Sequence, residues 1–200
     1  MFNLDDGYFI ILLAVLILSA CAFVWSRHRK NQLQSMVANF STSAFVKAGI
    51  QNFEIRFEHD GTVFKCLNST SKSTFFELNF YLPQFNEKFL IRQNSTLAGF
   101  HAGIDVGQFS SAVSIPNLSN DYLVFSPNLD FTKTLLSNNA VLEKIYLLNS
   151  EFTYPLIWFE GGQFKLELFS DSGWNLVEKF NIICYAAIVF HDNIKGNVLR

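Results

Sequence analysis

The sequence lacks the motifs by which many enzymes and metalloproteins are recognised. It contains no GxSxG nucleophile elbow, no HExxH zinc helix and no phosphate-binding P-loop. Its three cysteines include no CxxC pair, so the sequence predicts neither a zinc site nor a disulfide framework. No internal repeat or low-complexity tract is present. These absences favour a protein without recognisable chemistry, and we expect no cofactor.

Charge is also scarce, and it is slightly acidic after residue 30. From Asn31 onward, 12 Lys and Arg residues oppose 15 Asp and Glu residues, a net charge of −3. Nucleic acids and anionic membrane surfaces attract basic proteins, so we expect no nucleic-acid partner. Cys66 and Cys184 are expected to be free thiols in a reducing compartment.

The most informative feature present is an uncharged apolar run of 18 residues from Tyr8 to Trp25. At about 1.5 Å per residue, a helix of this length reaches about 27 Å, close to the roughly 30 Å of a bilayer core. Tyr8 and Trp25 place amphipathic rings at the two ends, where membrane interfaces favour them. The sequence therefore predicts one transmembrane helix, with the lipid bilayer as the partner of residues 8–25.

The charges that flank this run predict its orientation. Arg27, Arg29 and Lys30 follow the run, whereas Asp5 and Asp6 are the only charged side chains before it. Lys and Arg are enriched on the cytoplasmic side of membrane helices. We therefore expect the N-terminus outside and the domain after the helix in the cytoplasm.

Cys21 leaves an alternative open. Leu18–Cys21 reads LSAC, which resembles the lipobox of bacterial lipoproteins, where the cysteine is lipidated and becomes the new N-terminus. Signals of this kind begin with a basic segment, whereas residues 1–7 carry two acids and no Lys or Arg. The apolar run also continues past Cys21. A cleaved secretory signal is disfavoured by the same acidic start, and an envelope lipoprotein facing the periplasm remains the alternative.

The periodicity of the rest predicts its organisation. Residues 1–30 form the tail, span and basic stop, and residues 31–48 carry apolar side chains at helical spacing, which predicts a juxtamembrane helix. From residue 49 the period changes to two, which is typical of strands. We predict strands at 53–58, 62–67, 74–82, 88–92, 109–115, 121–125, 154–160 and 163–169, with helices at 130–149, broken near 137–139, and at the end of the chain as far as about residue 190.

This order of elements predicts an α+β fold. Strands and helices are grouped rather than strictly alternating, which favours a single domain at 49–200 with a mainly antiparallel sheet and two to three packed helices. The 23 Phe residues support a real hydrophobic core, because aromatic side chains bury large areas.

One glycine-bearing segment is the strongest candidate for a site. Gly99, Gly103 and Gly107 flank His101 and Asp105. Glycine lets a backbone approach a ligand closely, and a His with an Asp could act as a base and its orienting group. The same pattern is typical of a tight connection between strands. A membrane-tethered enzyme with catalytic residues here is therefore kept as an alternative.

Two further His–acid neighbours are His59-Asp60 and His191-Asp192. Adjacent residues rarely direct their side chains to one metal, and neither pair has the spacing of a known metal motif. The sequence therefore predicts no metal site at either pair.

Five short segments follow one another along the chain. They are Phe80–Pro83, Ile91-Arg92, Gly103–Phe109, Leu135-Leu136 and Gly161-Gly162. In this order they resemble a family of uncharacterised bacterial membrane-anchored domains. The resemblance covers roughly residues 53–188, and the chain departs from the family pattern at Ser110, where an acid is expected, and in having one span where relatives often have two. The family has no assigned activity, so the resemblance implies a fold and no catalytic residue.

The sequence thus predicts a single-pass protein of the bacterial inner membrane. Its expected role is that of a non-catalytic interaction or accessory module, and its protein partner is not identified by any motif.

Overall fold

The protein has an α+β fold, in which a long N-terminal helix precedes an antiparallel sheet and three further helices. This confirms the fold class predicted from the sequence. The structure is a computed structural model that describes residues 4–49, 52–70, 74–94, 112–115, 118–171 and 175–198.

The first helix, α1, runs without a break from Leu4 to Val37. Within the described residues, α1 is the one helix long and apolar enough to cross a membrane, with a mean hydropathy of 2.7 in its most apolar stretch. That stretch makes no buried contact with the rest of the fold. By contrast, Leu33, Met36 and Val37 at the other end of α1 lie in the hydrophobic core.

The structure corrects the juxtamembrane helix predicted over 31–48. The helix ends at Val37, and Phe45–Ala48 forms an edge strand, β1, instead. Between them, the Ser43 amide donates a hydrogen bond to Ser41 Oγ at 3.1 Å. Serine side chains of this kind compete with the helical backbone, and the pairing of β1 with the next strand then decides the conformation of 45–48.

The sheet of the described residues has nine strands, and every pair of neighbours is antiparallel. Their spatial order is β1-β2-β3-β4-β9-β8-β5-β7-β6, so the hairpin β8–β9 inserts between β4 and β5. After β1, the elements are β2 (Asn52–His59), β3 (Thr62–Thr70), β4 (Thr74–Tyr81), β5 (Phe89–Gln93), β6 (Ala112–Val113), β7 (Tyr122–Phe125), α2 (Leu129–Ser137), α3 (Asn139–Glu151), β8 (Thr153–Glu160), β9 (Gln163–Ser170) and α4 (Leu176–Val198).

Two tight turns join neighbouring strands of the sheet. Asp60 and Gly61 join β2 to β3 with φ values of +47° and +73°, and Gly161 and Gly162 join β8 to β9 with +58° and +79°. Positive φ at both turn positions matches the twist of the flanking strands. The turn at Gly162 is also packed, because the Leu82 amide donates to its carbonyl oxygen at 2.7 Å.

Helices α2, α3 and α4 pack on one face of the sheet, where phenylalanine rings fill the space between the layers. Phe80 stacks on Phe164 with ring centroids 4.5 Å apart, and α4 contributes Phe180 and Phe190, which contact rings of β4 and β9. Ring contacts of this type add to the stability that burial alone provides. The Phe-rich composition is therefore explained by the interface between sheet and helices.

The opposite face of the sheet is more polar, and we call it the polar face. Lys165 forms ion pairs there with Glu167 at 2.6 Å and with Glu77 at 3.5 Å. Farther along the same face, Leu90 and Leu156 form a small buried cluster that is separate from the main core. The alternation of residues along β4 and β9 thus divides the sheet into a helix-covered face and a charged one.

The helical region at 129–151 is broken where the sequence predicted. Asn138 ends α2 and caps α3, since its side chain accepts a hydrogen bond from the Ala140 amide at 2.8 Å. Residues 112–113 form the only described strand in the stretch predicted at 109–115.

Candidate functional site

The apolar part of α1 meets the domain without a linker. Ser26, the first residue after the apolar run, donates through Oγ to the Gly49 carbonyl oxygen at 3.2 Å. One turn farther along α1, the Arg29 guanidinium lies 4.0 Å from the centre of the Trp25 ring. We call this contact region the junction. It places the connection between β1 and β2 at the level where the apolar run ends.

The sheet has one end at the junction and one end far from it. Strand β2 runs from Asn52, near Gly49, to His59, which spans about 23 Å at about 3.3 Å per residue. The C-terminal part of α4 reaches the same far end, where Lys195 Nζ contacts the Asp60 carboxylate at 2.6 Å. The turn between β2 and β3 and the end of α4 therefore form the distal tip of the domain.

Two histidines and an aspartate meet at this distal tip, and we call them the distal histidine cluster. His59 comes from the end of β2, and His191 and Asp192 come from α4. Asp192 Oδ1 lies 2.9 Å from His59 Nε2 and 2.8 Å from His191 Nδ1. One nitrogen from each histidine and one carboxylate oxygen lie within 4.8 Å of one another.

His191 is held rigidly within this cluster. Its side chain is fully buried, and its ring contacts Phe64 and Phe80 with centroids 5.3 Å and 5.5 Å away. Its second ring nitrogen, Nε2, lies 3.0 Å from the Thr62 hydroxyl. Burial lowers the pKa of His191, and the nearby carboxylate of Asp192 opposes this only in part. The neutral imidazole is therefore favoured.

The charges around the cluster partly cancel. The Lys195 ammonium, through its hydrogen bond and its charge, holds the pKa of the Asp60 carboxyl below its ordinary value. Asp192 is half exposed, so one side of the cluster faces solvent. Around the histidines, the carboxylates of Asp60 and Asp192 and the Lys195 ammonium sum to a charge of −1.

The two His–acid pairs, His59-Asp60 and His191-Asp192, are far apart in the sequence, and the structure brings them together. His59 and His191 are 132 positions apart, so no spacing motif could connect them. Their meeting depends on the end of β2 lying beside the last turns of α4. The residues with the strongest glycine pattern, Gly99 to Gly107 with His101 and Asp105, lie outside the described residues, and that site stays a prediction.

The cysteines offer no surface-accessible chemistry in the domain. Cys66 on β3 and Cys184 on α4 are free and completely buried. Burial raises the pKa of Cys66 well above its ordinary value, and its hydrogen bond with the neighbouring Cys184 acts in the same direction. The reactive thiolate is therefore disfavoured. Cys21 is also free, and it lies exposed on the apolar part of α1.

A cleft of about 630 Å³ lies between α1 and the first turns of α4. Its lining includes Arg29, Gln32, Glu178 and Asn181, which are polar groups of mixed charge. The cleft is open to solvent. Its described lining residues include no histidine, cysteine or aspartate that could act as a base or nucleophile. The distal histidine cluster is therefore the stronger candidate for chemistry.

Comparison with solved structures gives a distant likeness in fold. No family model matches the chain, and no curated protein matches it in sequence. Its fold is similar to the crystal structure of the mycobacterial trehalose monomycolate transport factor A, TtfA, with a TM-score of 0.49 and 12% identity. The match covers 84% of this chain and 93% of that one. A likeness at this level says nothing about a shared activity.

Proposed function

We propose that the chain is a single-pass membrane-anchored accessory module that binds a protein partner and performs no catalysis. We include in this proposal its membership of the family of uncharacterised bacterial membrane-anchored domains. The observation that carries the proposal is the contrast between the two ends of α1. The apolar run is exposed along its length, whereas Leu33 and Val37 are fully buried in the domain.

The exposed run supports a membrane location. Leu12, Leu16 and Leu18 are each about 60% or more exposed, and the large apolar side chains between Tyr8 and Trp25 are all 45–70% exposed. Soluble monomeric proteins rarely expose a continuous apolar surface of this size. A bilayer covers such a surface, and a helix satisfies its own backbone hydrogen bonds there.

The buried end of α1 supports a rigid anchor. Because one helix both spans the bilayer and enters the core, the domain moves with the span and sits directly on the membrane. The hydrogen bond between Ser26 and Gly49 also holds the connection between β1 and β2 close to the end of the apolar run, and therefore close to the membrane. A tether of this type suits a protein that must present a surface to a partner within the membrane plane.

The basic flank supports the orientation in this proposal. Because Lys and Arg are enriched on the cytoplasmic side, Arg27, Arg29 and Lys30 favour a domain on the cytoplasmic side of a bacterial inner membrane, with the N-terminus outside. Fusing green fluorescent protein or alkaline phosphatase to the C-terminus tests this, since the first fluoresces only inside and the second is active only outside. Fluorescence without phosphatase activity is the expected result. Phosphatase activity would overturn the orientation.

The lipoprotein alternative predicts the opposite result for these fusions, which is phosphatase activity without fluorescence. It requires a domain in the periplasm and a mature N-terminus at Cys21. The intact mass of the purified protein separates the two, because our proposal retains every residue before Cys21. Loss of processing in a Cys21→Ser variant would support the alternative.

The accessory role is tested by crosslinking in intact membranes. A photo-activated amino acid is introduced at Val63, exposed on the polar face, or at Lys133, exposed on α2 of the helical face. We expect a discrete adduct with one protein at one of these positions and none at the other. The absence of any adduct at both positions, with the domain folded and in the membrane, would contradict the proposal.

A further inference from the structure

We propose that the distal histidine cluster binds a divalent transition-metal ion of the zinc class. The protein ligands are His59 Nε2, His191 Nδ1 and one carboxylate oxygen of Asp192. This inference does not depend on the orientation of the chain or on the accessory role.

The spacing of the three ligand atoms fits such an ion. Zinc binds nitrogen and oxygen at about 2.0–2.2 Å, so neighbouring ligand atoms in a tetrahedral site lie about 3.4 Å apart. In the cluster, two of these separations are 2.8 Å and 2.9 Å, and all three are within 4.8 Å. To admit the ion, the two short separations widen by roughly half an ångström, and the two histidine nitrogens, which are no more than 4.8 Å apart, adjust toward about 3.4 Å.

The hydrogen bonds of His191 allow the change of tautomer that binding requires. The neutral ring carries one proton, which Nδ1 shares with Asp192 Oδ1, and this proton must leave Nδ1 before the ion binds there. When the proton lies on Nε2 instead, that nitrogen donates to Thr62 Oγ1 at 3.0 Å. A threonine hydroxyl can either donate or accept, so Thr62 supports the ring in both states. The ring keeps one proton throughout, so binding at His191 changes the tautomer and releases no proton to solvent.

The local fold holds the ligands before the ion arrives. His59 and Thr62 are paired partners across the β2–β3 turn, so one short hairpin supplies a ligand and the group that orients the other histidine. His191 is locked by burial in α4. An outer hydrogen bond of the type made by Thr62 is common at metal-bound histidines and fixes the ring orientation.

The donor set selects the class of ion. Two imidazole nitrogens and one carboxylate suit zinc and its transition-metal neighbours, whereas calcium and magnesium prefer oxygen ligands alone. Asp192 is half exposed, so water can occupy the fourth position. The Lys195 ammonium is the nearby positive charge that would repel a metal ion, and its ion pair with Asp60 offsets this repulsion.

Calorimetric titration with Zn²⁺ tests the site on the full chain in detergent, purified without a histidine tag. We expect one ion bound per chain. Co²⁺ added in place of zinc should give the visible absorption of a four-coordinate site. Asp192→Asn and His59→Gln should each weaken binding at least about tenfold.

Two further variants separate the site from general effects. His28→Gln removes a histidine that lies on α1, far from the cluster, and should bind zinc like the wild type. Thr62→Val keeps all three ligands, and we expect its affinity to fall about tenfold because the orienting hydrogen bond is lost. Circular dichroism confirms that each variant is folded.

The proposal is overturned if the wild type shows no saturable binding. It is equally overturned if Asp192→Asn and His59→Gln, both folded, bind zinc as tightly as His28→Gln does.

Discussion

Replacement of Leu33 by alanine tests whether α1 is part of the domain or only its tether. Leu33 lies two turns beyond Trp25, and its side chain is fully buried in the core, whereas its neighbour Gln34 is exposed. Removing a buried leucine side chain costs about 2–5 kcal/mol. With a cost of about 3 kcal/mol and a shift of about 2–4 °C per kcal/mol, the unfolding midpoint should fall by about 6–12 °C.

The assay is thermal unfolding of the full chain in detergent, followed by the circular dichroism of the sheet. Gln34→Ala is the matched control, since an exposed position on the same helix turn should change stability by no more than about 0.5 kcal/mol. If Leu33→Ala unfolds at the same temperature as Gln34→Ala, the helix end does not belong to the core. The rigid junction, and the anchor proposed from it, would then be refuted.

Three other outcomes are expected. Gly161→Ala should destabilise the domain by about 1–2 kcal/mol because of its positive φ. Gly162→Ala should destabilise it clearly more, since the added Cβ would lie 2.6 Å from a backbone carbonyl oxygen. Equal unfolding midpoints of the two variants would contradict this packing. Cys66 and Cys184 should resist maleimide in the folded protein and react after denaturation, as followed by mass spectrometry; rapid labelling of the native protein would show that the core opens there. Zinc at about 100 times its dissociation constant should raise stability by about 2.7 kcal/mol, and a chelator should reverse this in thermal unfolding; an unchanged midpoint would count against the metal site.

Local patterns were sufficient where a segment's neighbours along the chain decide its conformation. Phe53, Ile55 and Phe57 are buried at every second position, as their alternation predicted. The break at Asn138 was also predicted, because a capping side chain acts on amides only a few residues away. The helix over the apolar run from Tyr8 to Trp25 was likewise predicted from neighbouring residues alone.

Predictions failed where distant segments compete for the same residues. Helical spacing continues past Val37, yet Val46 pairs with Ile55 of β2, and this pairing makes residues 45–48 a strand. No local pattern reports such a partner. The insertion of β8 and β9 between β4 and β5 is likewise a consequence of long-range pairing.

The hydrophobic periodicity of the sequence was enough to predict an apolar helix of membrane-spanning length, the α+β class and most strand positions. This is because the periodicity of buried residues and the chemistry of turns depend on residues that are close together in the chain. The tertiary structure alone decided two features of function. It joined α1 to the core at Leu33, and it brought His59 to Asp192 across 133 positions. Both arise because the sheet sets β2 beside α1 at one end and beside α4 at the other, a placement that depends on packing between distant segments.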